Sequence, residues 1–217
     1  MKKCIILANG TPPDKKLISF LARKKYNDII CADGGANSAR KLGIIPNYII
    51  GDFDSITETN LNYFSDKSEV IRIKRQNDTD VEKAIKLAIK KGYKDCLLLG
   101  AIGNRLDHSI CNLSIILKFA EKIRIRIIYE KSMLSVESGE INLTTKPGEV
   151  ISLFAFDSRT KIFSKGLRYE LRNTSLPFGS KEGESNNSKG KSVSLKIKNG
   201  KIFLIRLFDI AKNNGFI

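Results

Sequence analysis

Asp28-Ile29-Ile30-Cys31-Ala32-Asp33-Gly34-Gly35-Ala36-Asn37-Ser38-Ala39-Arg40-Lys41-Leu42 changes period once. Asp28–Ala32 is an apolar run of strand length, and from Ala36 to Leu42 the pattern is helical. Between them stands Asp-Gly-Gly, a turn with a carboxylate at its head. The same unit recurs from residue 1 to 130. Lys3–Ala8, Asp28–Ala32, Tyr48–Ile50, Glu69–Ile73, Asp95–Leu99 and Arg124–Tyr129 read as strands. Lys15–Lys24, Ala36–Leu42, Thr57–Phe64, Asp80–Lys90 and Asp107–Glu121 read as helices. Asp78 or Thr79 is the expected N-cap of Asp80–Lys90, and Gly92 its expected stop. Near-continuously apolar strands separated by helices predict a doubly wound α/β domain with a mainly parallel sheet over residues 1–130.

After residue 131 the pattern changes. Ser135–Val136, Gly139–Thr144, Glu149–Phe156, Lys161–Phe163, Ser192–Ile197 and Lys201–Phe208 are strand-like, joined by segments rich in Gly, Pro, Asn or Ser. Asn199-Gly200 predicts a type I′ hairpin. Residues 132–217 therefore read as an all-β sandwich or open barrel without a long helix, and Gly179–Lys191 as a mobile polar loop.

Composition narrows the function classes. No apolar stretch has the roughly 18 residues needed to cross a bilayer. The apolar start, Cys4-Ile5-Ile6-Leu7, gives way to Asn9-Gly10 with no small-residue cleavage pattern, so it reads as a first strand and not a signal peptide. The four cysteines show no paired spacing, as expected for buried thiols in a reducing cytoplasm. A net charge of +15 invites nucleic acid. The basic residues, however, run along the whole chain without interleaved aromatics, and tryptophan is absent. The reading is of a protein that binds neither nucleic acid nor membrane.

Chemistry is concentrated after the strands, where open α/β sheets bind ligands. Gly51-Asp52-Phe53-Asp54-Ser55 places two carboxylates one residue apart, and in an extended segment both would face one cation. Turn and cap duty explains a lone Asp-x-Asp equally well. Gln76-Asn77-Asp78-Thr79-Asp80 opens a helix, whose free N–H groups favour anions. Asp33 is either a metal ligand or the cap of the next helix, and Gly34-Gly35 lets backbone approach a ligand. Gly100 to His108 is a glycine-spaced loop able to cradle phosphate, followed by Arg105, Asp107 and His108. The arginine offers a bidentate fork for phosphate. A lone histidine at a helix start is more often a hydrogen-bonding or packing residue than a base. Converging carboxylates need a cation, and Mg²⁺ on a substrate's phosphates is the simplest one. In the second domain Tyr169 falls at a strand position, where aromatics are usually core, and Ser185-Asn186 lies in the polar loop.

Together these segments resemble the thiamine pyrophosphokinase (thiamine diphosphokinase) family. The likeness rests on Gly51-Asp52-Phe53-Asp54-Ser55, on Asp78-Thr79-Asp80 with Gln76 upstream, and on Gly103-Asn104-Arg105-Leu106-Asp107-His108. It continues through Gly166-Leu167-Arg168-Tyr169, Leu176-Pro177-Phe178-Gly179 and Ser185-Asn186. The resemblance implies transfer of the β,γ-diphosphate of ATP to the hydroxyl of thiamine, releasing AMP. It implies a cytoplasmic homodimer with shared sites, each having an α/β ATP-binding domain and a β-sandwich thiamine-binding domain. By the same likeness Asp52, Asp54 and Asp80 hold Mg²⁺, with Asp33 and Gly34 nearby on the ATP side. Arg105 and Asp107 position the triphosphate or the metal shell. Gln76 and Thr79 face thiamine, Tyr169 stacks on it, and Ser185 and Asn186 hydrogen-bond its aminopyrimidine from the partner subunit. Tyr169 stands where some relatives carry Trp, and Asn104 where many carry Gly. A haloacid dehalogenase-type phosphatase also runs a strand into Asp-x-Asp, but after its first strand; here the motif follows the third.

Overall fold

A computed structural model describes residues 1–74, 77–103 and 105–213. Gln76 and Asn104 lie outside the described residues. The chain divides into two compact units, Met1–Tyr129 and Glu130–Ile217.

In the first unit strands and helices alternate: β1 (Lys3–Leu7), α1 (Lys15–Arg23), β2 (Asp28–Ala32), α2 (Gly35–Leu42), β3 (Tyr48–Gly51) and α3 (Glu58–Phe64). There follow β4 (Glu69–Arg72), α4 (Asp80–Lys90), β5 (Asp95–Leu99), α5 (Leu106–Phe119) and β6 (Arg124–Tyr129). The strands are all parallel, in the order β6-β5-β1-β2-β3-β4. The central strands are buried along nearly their whole length, which is why their sequences lack polar alternation. From β1 to β4 the chain steps one way, and the step from β4 back to β5 reverses it. Right-handed crossovers then put α1–α3 on one face and α4–α5 on the other. Contacts of α2 with α3, and of α4 with α5, agree. The fold is the expected doubly wound one.

Helix ends follow local chemistry. Asp14 caps α1 through Leu17 N–H (2.6 Å), and Thr57 and Thr79 cap α3 and α4. Gly92, at φ +81, follows α4 as its stop.

The second unit holds β7 (Ser132–Thr144), β8 (Val150–Ala155), β9 (Lys161–Lys165), β10 (Asn186–Asn187), β11 (Ser192–Leu207) and a short α6 (Phe208–Asn213) that the sequence does not announce. The antiparallel ribbon β7–β11 is its spine. On its free edge, the first half of β11 takes β9 and the second half takes β8. One ribbon thus serves two sheet layers around a core that includes Ile151, Leu153, Ile162, Val193 and Leu195.

The hairpin expected at Asn199-Gly200 does not form. β11 runs through it, and the register slips so that Ile197 pairs with Gly139 and Ile202 with Glu137. Asn199 adopts φ +59, the conformation a type I′ turn would use, but spends it in a bulge. Gly139, at φ +69, lies at the same irregularity, so the two strands expected over Ser135–Thr144 are one. Gly179–Lys191 is packed in part. Asn186 and Asn187 pair with Ile151 and Val150, and a Cβ on Gly183 would lie 2.3 Å from the Leu153 carbonyl oxygen.

Candidate active site

The strand order reverses direction between β1 and β5, and a parallel sheet opens a crevice there beyond its carboxyl ends. The loops leaving these strands zip together: Gly10 N–H donates to Gly100 O and Thr11 N–H to Ile102 O, both at 2.8 Å. A Cβ on Gly10 would lie 2.4 Å from Ile102 O, and one on Gly103 2.8 Å from Gly10 Cα. The glycines expected to cradle phosphate are therefore required first for backbone-on-backbone packing. Gly35 is alike, since its Cβ would lie 2.0 Å from Leu7 O. Below these loops opens a cleft of about 880 Å³, lined by Asn9, Asp33, Asp52, Asp80, Lys83 and Arg105 among others.

Its floor is acidic. Asp33 leaves β2, Asp52 leaves β3 and Asp80 opens α4, and one carboxylate oxygen of each lies within 4.8 Å of the other two. Asp33 is buried, at φ +41, and its oxygens accept from Ser55 N–H (3.0 Å) and Ile56 N–H (3.1 Å). It caps that turn and not the next helix, whose N-cap is Gly34 without a side-chain bond. Burial, then a hydrogen bond to Asp54, push the Asp33 carboxyl up to about 6 against the pull of the two amides.

The extended segment expected to present Asp52 and Asp54 to one side is not formed. Phe53 sits at φ +70 and turns the chain. Asp33 completes the trio, while exposed Asp54 accepts from Ser55 Oγ at 2.9 Å. Hydrogen bonds from Ser55 and Asp33 hold the Asp54 carboxyl below its usual range. Asn37, one helical turn after Asp33, ties the same loop by donating to Ser55 O (2.9 Å) and accepting from Thr57 N–H (3.1 Å).

Asp52 Oδ1 is buried and has no hydrogen-bond partner among the described residues. An orphaned carboxylate oxygen beside two further carboxylates is a donor set that suits a hard divalent cation. Lys83 reaches the same place, its Nζ 2.7 Å from Asp80 Oδ1 and 3.8 Å from Asp52 Oδ2. At the rim Arg105 grips Asp107 through two bonds of 3.0 and 2.6 Å, which hold that carboxyl far below its ordinary range. His108 is exposed and lines the cleft. Thr79 is used as the α4 cap, accepting from Glu82 N–H at 3.2 Å.

The sequence reading missed Asn9, Thr11 and Lys83. Asn9-Gly10 directly after β1 repeats the turn chemistry of the other strand ends and was the available signal. Lys83 carried none, because one lysine among many in a helix reads as solvated.

In the second unit Tyr169 is exposed (65%), contrary to the usual core position of a strand aromatic. Asn186 is buried beneath it: Oδ1 accepts from Tyr169 N–H (3.1 Å) and Nδ2 donates to Tyr169 O (2.7 Å). The Asn186 amide thus braces the tyrosine's backbone. Ser185, at φ +56, is exposed, and its N–H donates to Ser152 Oγ.

Two family models match the chain. One, described as thiamin pyrophosphokinase, catalytic domain, spans residues 21–129. The other, thiamin pyrophosphokinase, vitamin B1 binding domain, spans residues 138–202. The chain belongs to the thiamin pyrophosphokinase family. Thiamin pyrophosphokinase 1 of Caenorhabditis elegans is 28% identical over 94% of this chain and 88% of that protein. Thiamine pyrophosphokinase of Bacillus subtilis is 26% identical over 96% and 100%. Among solved structures, the Bacillus subtilis thiamine pyrophosphokinase superposes with a TM-score of 0.83 at 24% identity, over 96% of this chain and 100% of that one. The thiamin pyrophosphokinase of Geobacillus thermodenitrificans gives 0.80 at 25%, over 94% and 97%. Membership of the thiamin pyrophosphokinase family makes this chain an enzyme of the transferase class. Its catalytic-domain match contains the acidic trio, and its vitamin B1-binding match contains Tyr169 and Asn186.

Proposed function

We propose that this protein makes thiamine diphosphate by moving the terminal diphosphate of ATP onto the hydroxyl of thiamine, with AMP as the leaving group. The observation that carries the reading is the meeting of Asp33, Asp52 and Asp80 in the cleft at the reversal of strand order. Asp52 and Asp80, with Asp33 beneath them, are the residues that would hold Mg²⁺, and Asp54 would complete the acidic rim. A bound Mg²⁺ supplies neutralisation of charge on the phosphates.

Transfer of this kind demands positioning and charge stabilisation more than covalent help. Thr79 fixes the first turn of α4, from which Asp80 and Val81 line the cleft. Gly34 lies on the nucleotide side, and Arg105, released from Asp107, is the group to meet the triphosphate. Gln76 is assigned to thiamine. Tyr169 offers its exposed ring to thiamine, and Ser185 and Asn186 are assigned to its aminopyrimidine. We further assign the α/β unit to ATP and Mg²⁺, the β unit to thiamine, and the working form to a cytoplasmic homodimer in which each site draws on both subunits.

The test follows AMP in mixtures of enzyme, thiamine, ATP and Mg²⁺. AMP release that requires both thiamine and the metal supports diphosphate transfer. ADP or free phosphate as the product would overturn it.

A further inference from the structure

The acidic floor of the cleft already contains a cation of its own. Lys83 is buried, with 3% of its side chain exposed, and its ammonium reaches Asp80 and Asp52 at 2.7 and 3.8 Å. Its place on α4 is unfavourable on two counts. It lies in the first turn, where the helix dipole repels positive charge, and it has given up water. Among the described residues, the carboxylates of Asp80 and Asp52 are its ion-pair partners and offset those costs. They are two of the three that carry the cation reading, one of them with an oxygen that has no hydrogen-bond donor among the described residues.

A lysine and a divalent cation cannot share those oxygens without repulsion. Two positive charges about 4 Å apart in a partly desolvated cleft oppose each other strongly. A lysine is suited to yield, because its charge is a point at the end of a flexible four-carbon stem. We propose that Lys83 is the resident counter-ion of this site. It neutralises Asp52 and Asp80 until a divalent cation arrives with a triphosphate, then gives up Asp80 and donates to a phosphate oxygen. The inference rests on the reading that a metal–triphosphate occupies the cleft, and adds how the empty site is kept stable and the filled one selective for metal with nucleotide.

The two roles give effects of opposite sign when the charge is removed. Mn²⁺ alone, followed by electron paramagnetic resonance, should bind Lys83→Met and Lys83→Gln about tenfold more tightly than the parent protein. The Mn²⁺ complex of a non-hydrolysable ATP analogue, followed by calorimetry, should bind the same variants about tenfold more weakly. Lys83→Arg, which keeps the charge, should resemble the parent with Mn²⁺ alone. A lysine that only braced α4 would not tighten metal binding by its loss. Equal Mn²⁺ affinity in parent and variants would overturn the counter-ion and leave the metal site standing. No Mn²⁺ binding by any of them would overturn the metal reading and the counter-ion with it. Circular dichroism establishes folding of each variant, and Lys83→Gln serves if the methionine variant does not fold.

Discussion

At position 33 an aspartate lies buried at φ +41, with the amides of Ser55 and Ile56 on its two oxygens and Asp52 and Asp80 beside it. Anchoring the turn and adding charge to the acidic trio are separable by substitution. Asparagine tolerates positive φ and keeps one acceptor, so Asp33→Asn should cost about 1 kcal/mol or less. It should still lower turnover on the order of a hundredfold by removing a charge from the trio. Alanine strands both amides, and Asp33→Ala should cost about 2–3 kcal/mol besides. Thermal melts and AMP release on the two variants check this; equal stability loss in both would refute the anchoring role. The residue scale is also where the sequence was least legible. Asp52-Phe53-Asp54 reads as a paired grip only where Phe53 is extended; at φ +70 it is not, and the carboxylates brought together are those of Asp33, Asp52 and Asp80. Lys83 could not be distinguished from the other lysines of its helix until tertiary packing showed which one had lost water.

Glu82 joins elements in the same way. Buried on α4, it accepts from Lys86 of its own helix (2.8 Å) and from Lys118 of α5 (2.7 Å). Burial pushes its carboxyl up, but the two lysines together outweigh burial and hold it below its usual 4.5. A carboxyl depressed in the folded state stabilises fully above its unfolded value. That stabilisation disappears as pH falls through the folded value. Glu82→Gln should therefore lower stability by about 1 kcal/mol or less at pH 7, since both lysines are half exposed and screened. The deficit should shrink towards zero as urea unfolding is followed down to about pH 3. A deficit unchanged with pH would show that Glu82 acts by packing alone. Elements of the first unit were legible because the central parallel strands are near-solid apolar blocks and α4 is bounded by local signals, Thr79 at its start and Gly92 after its end. The β7–β11 ribbon was not, because Asn-Gly specifies a backbone conformation and not a reversal. Whether the chain turns back or bulges there is decided by partners far along the chain, such as Thr160, whose Oγ1 would lie 2.0 Å from a Cβ on Gly200.

Across the whole molecule the chemistry is divided between two units, the acidic trio in Met1–Tyr129 and Tyr169 with its Asn186 brace in Glu130–Ile217. Among the described residues no helix is long and apolar enough to cross a membrane. If each site of a homodimer takes its carboxylates from one subunit and its tyrosine from the other, lesions in the two units can complement. Asp80→Asn and Tyr169→Ala should each be poorly active alone, the first through the metal and the second through a raised KM for thiamine at unchanged KM for ATP. In a heterodimer of the two variants, one site collects both lesions and the other collects neither. Random pairing makes about half of the dimers heterodimers, so a co-expressed mixture should recover about a quarter of parental activity. A site built within one subunit predicts no recovery at all, because every site would keep one lesion. Purifying the mixture through two different affinity tags isolates the heterodimer, which should then show about half the parental activity per dimer with the parental KM for thiamine. Activity no higher than that of the separate variants, with the raised KM of Tyr169→Ala, would place Tyr169 in the same subunit's site as the carboxylates and refute the shared arrangement.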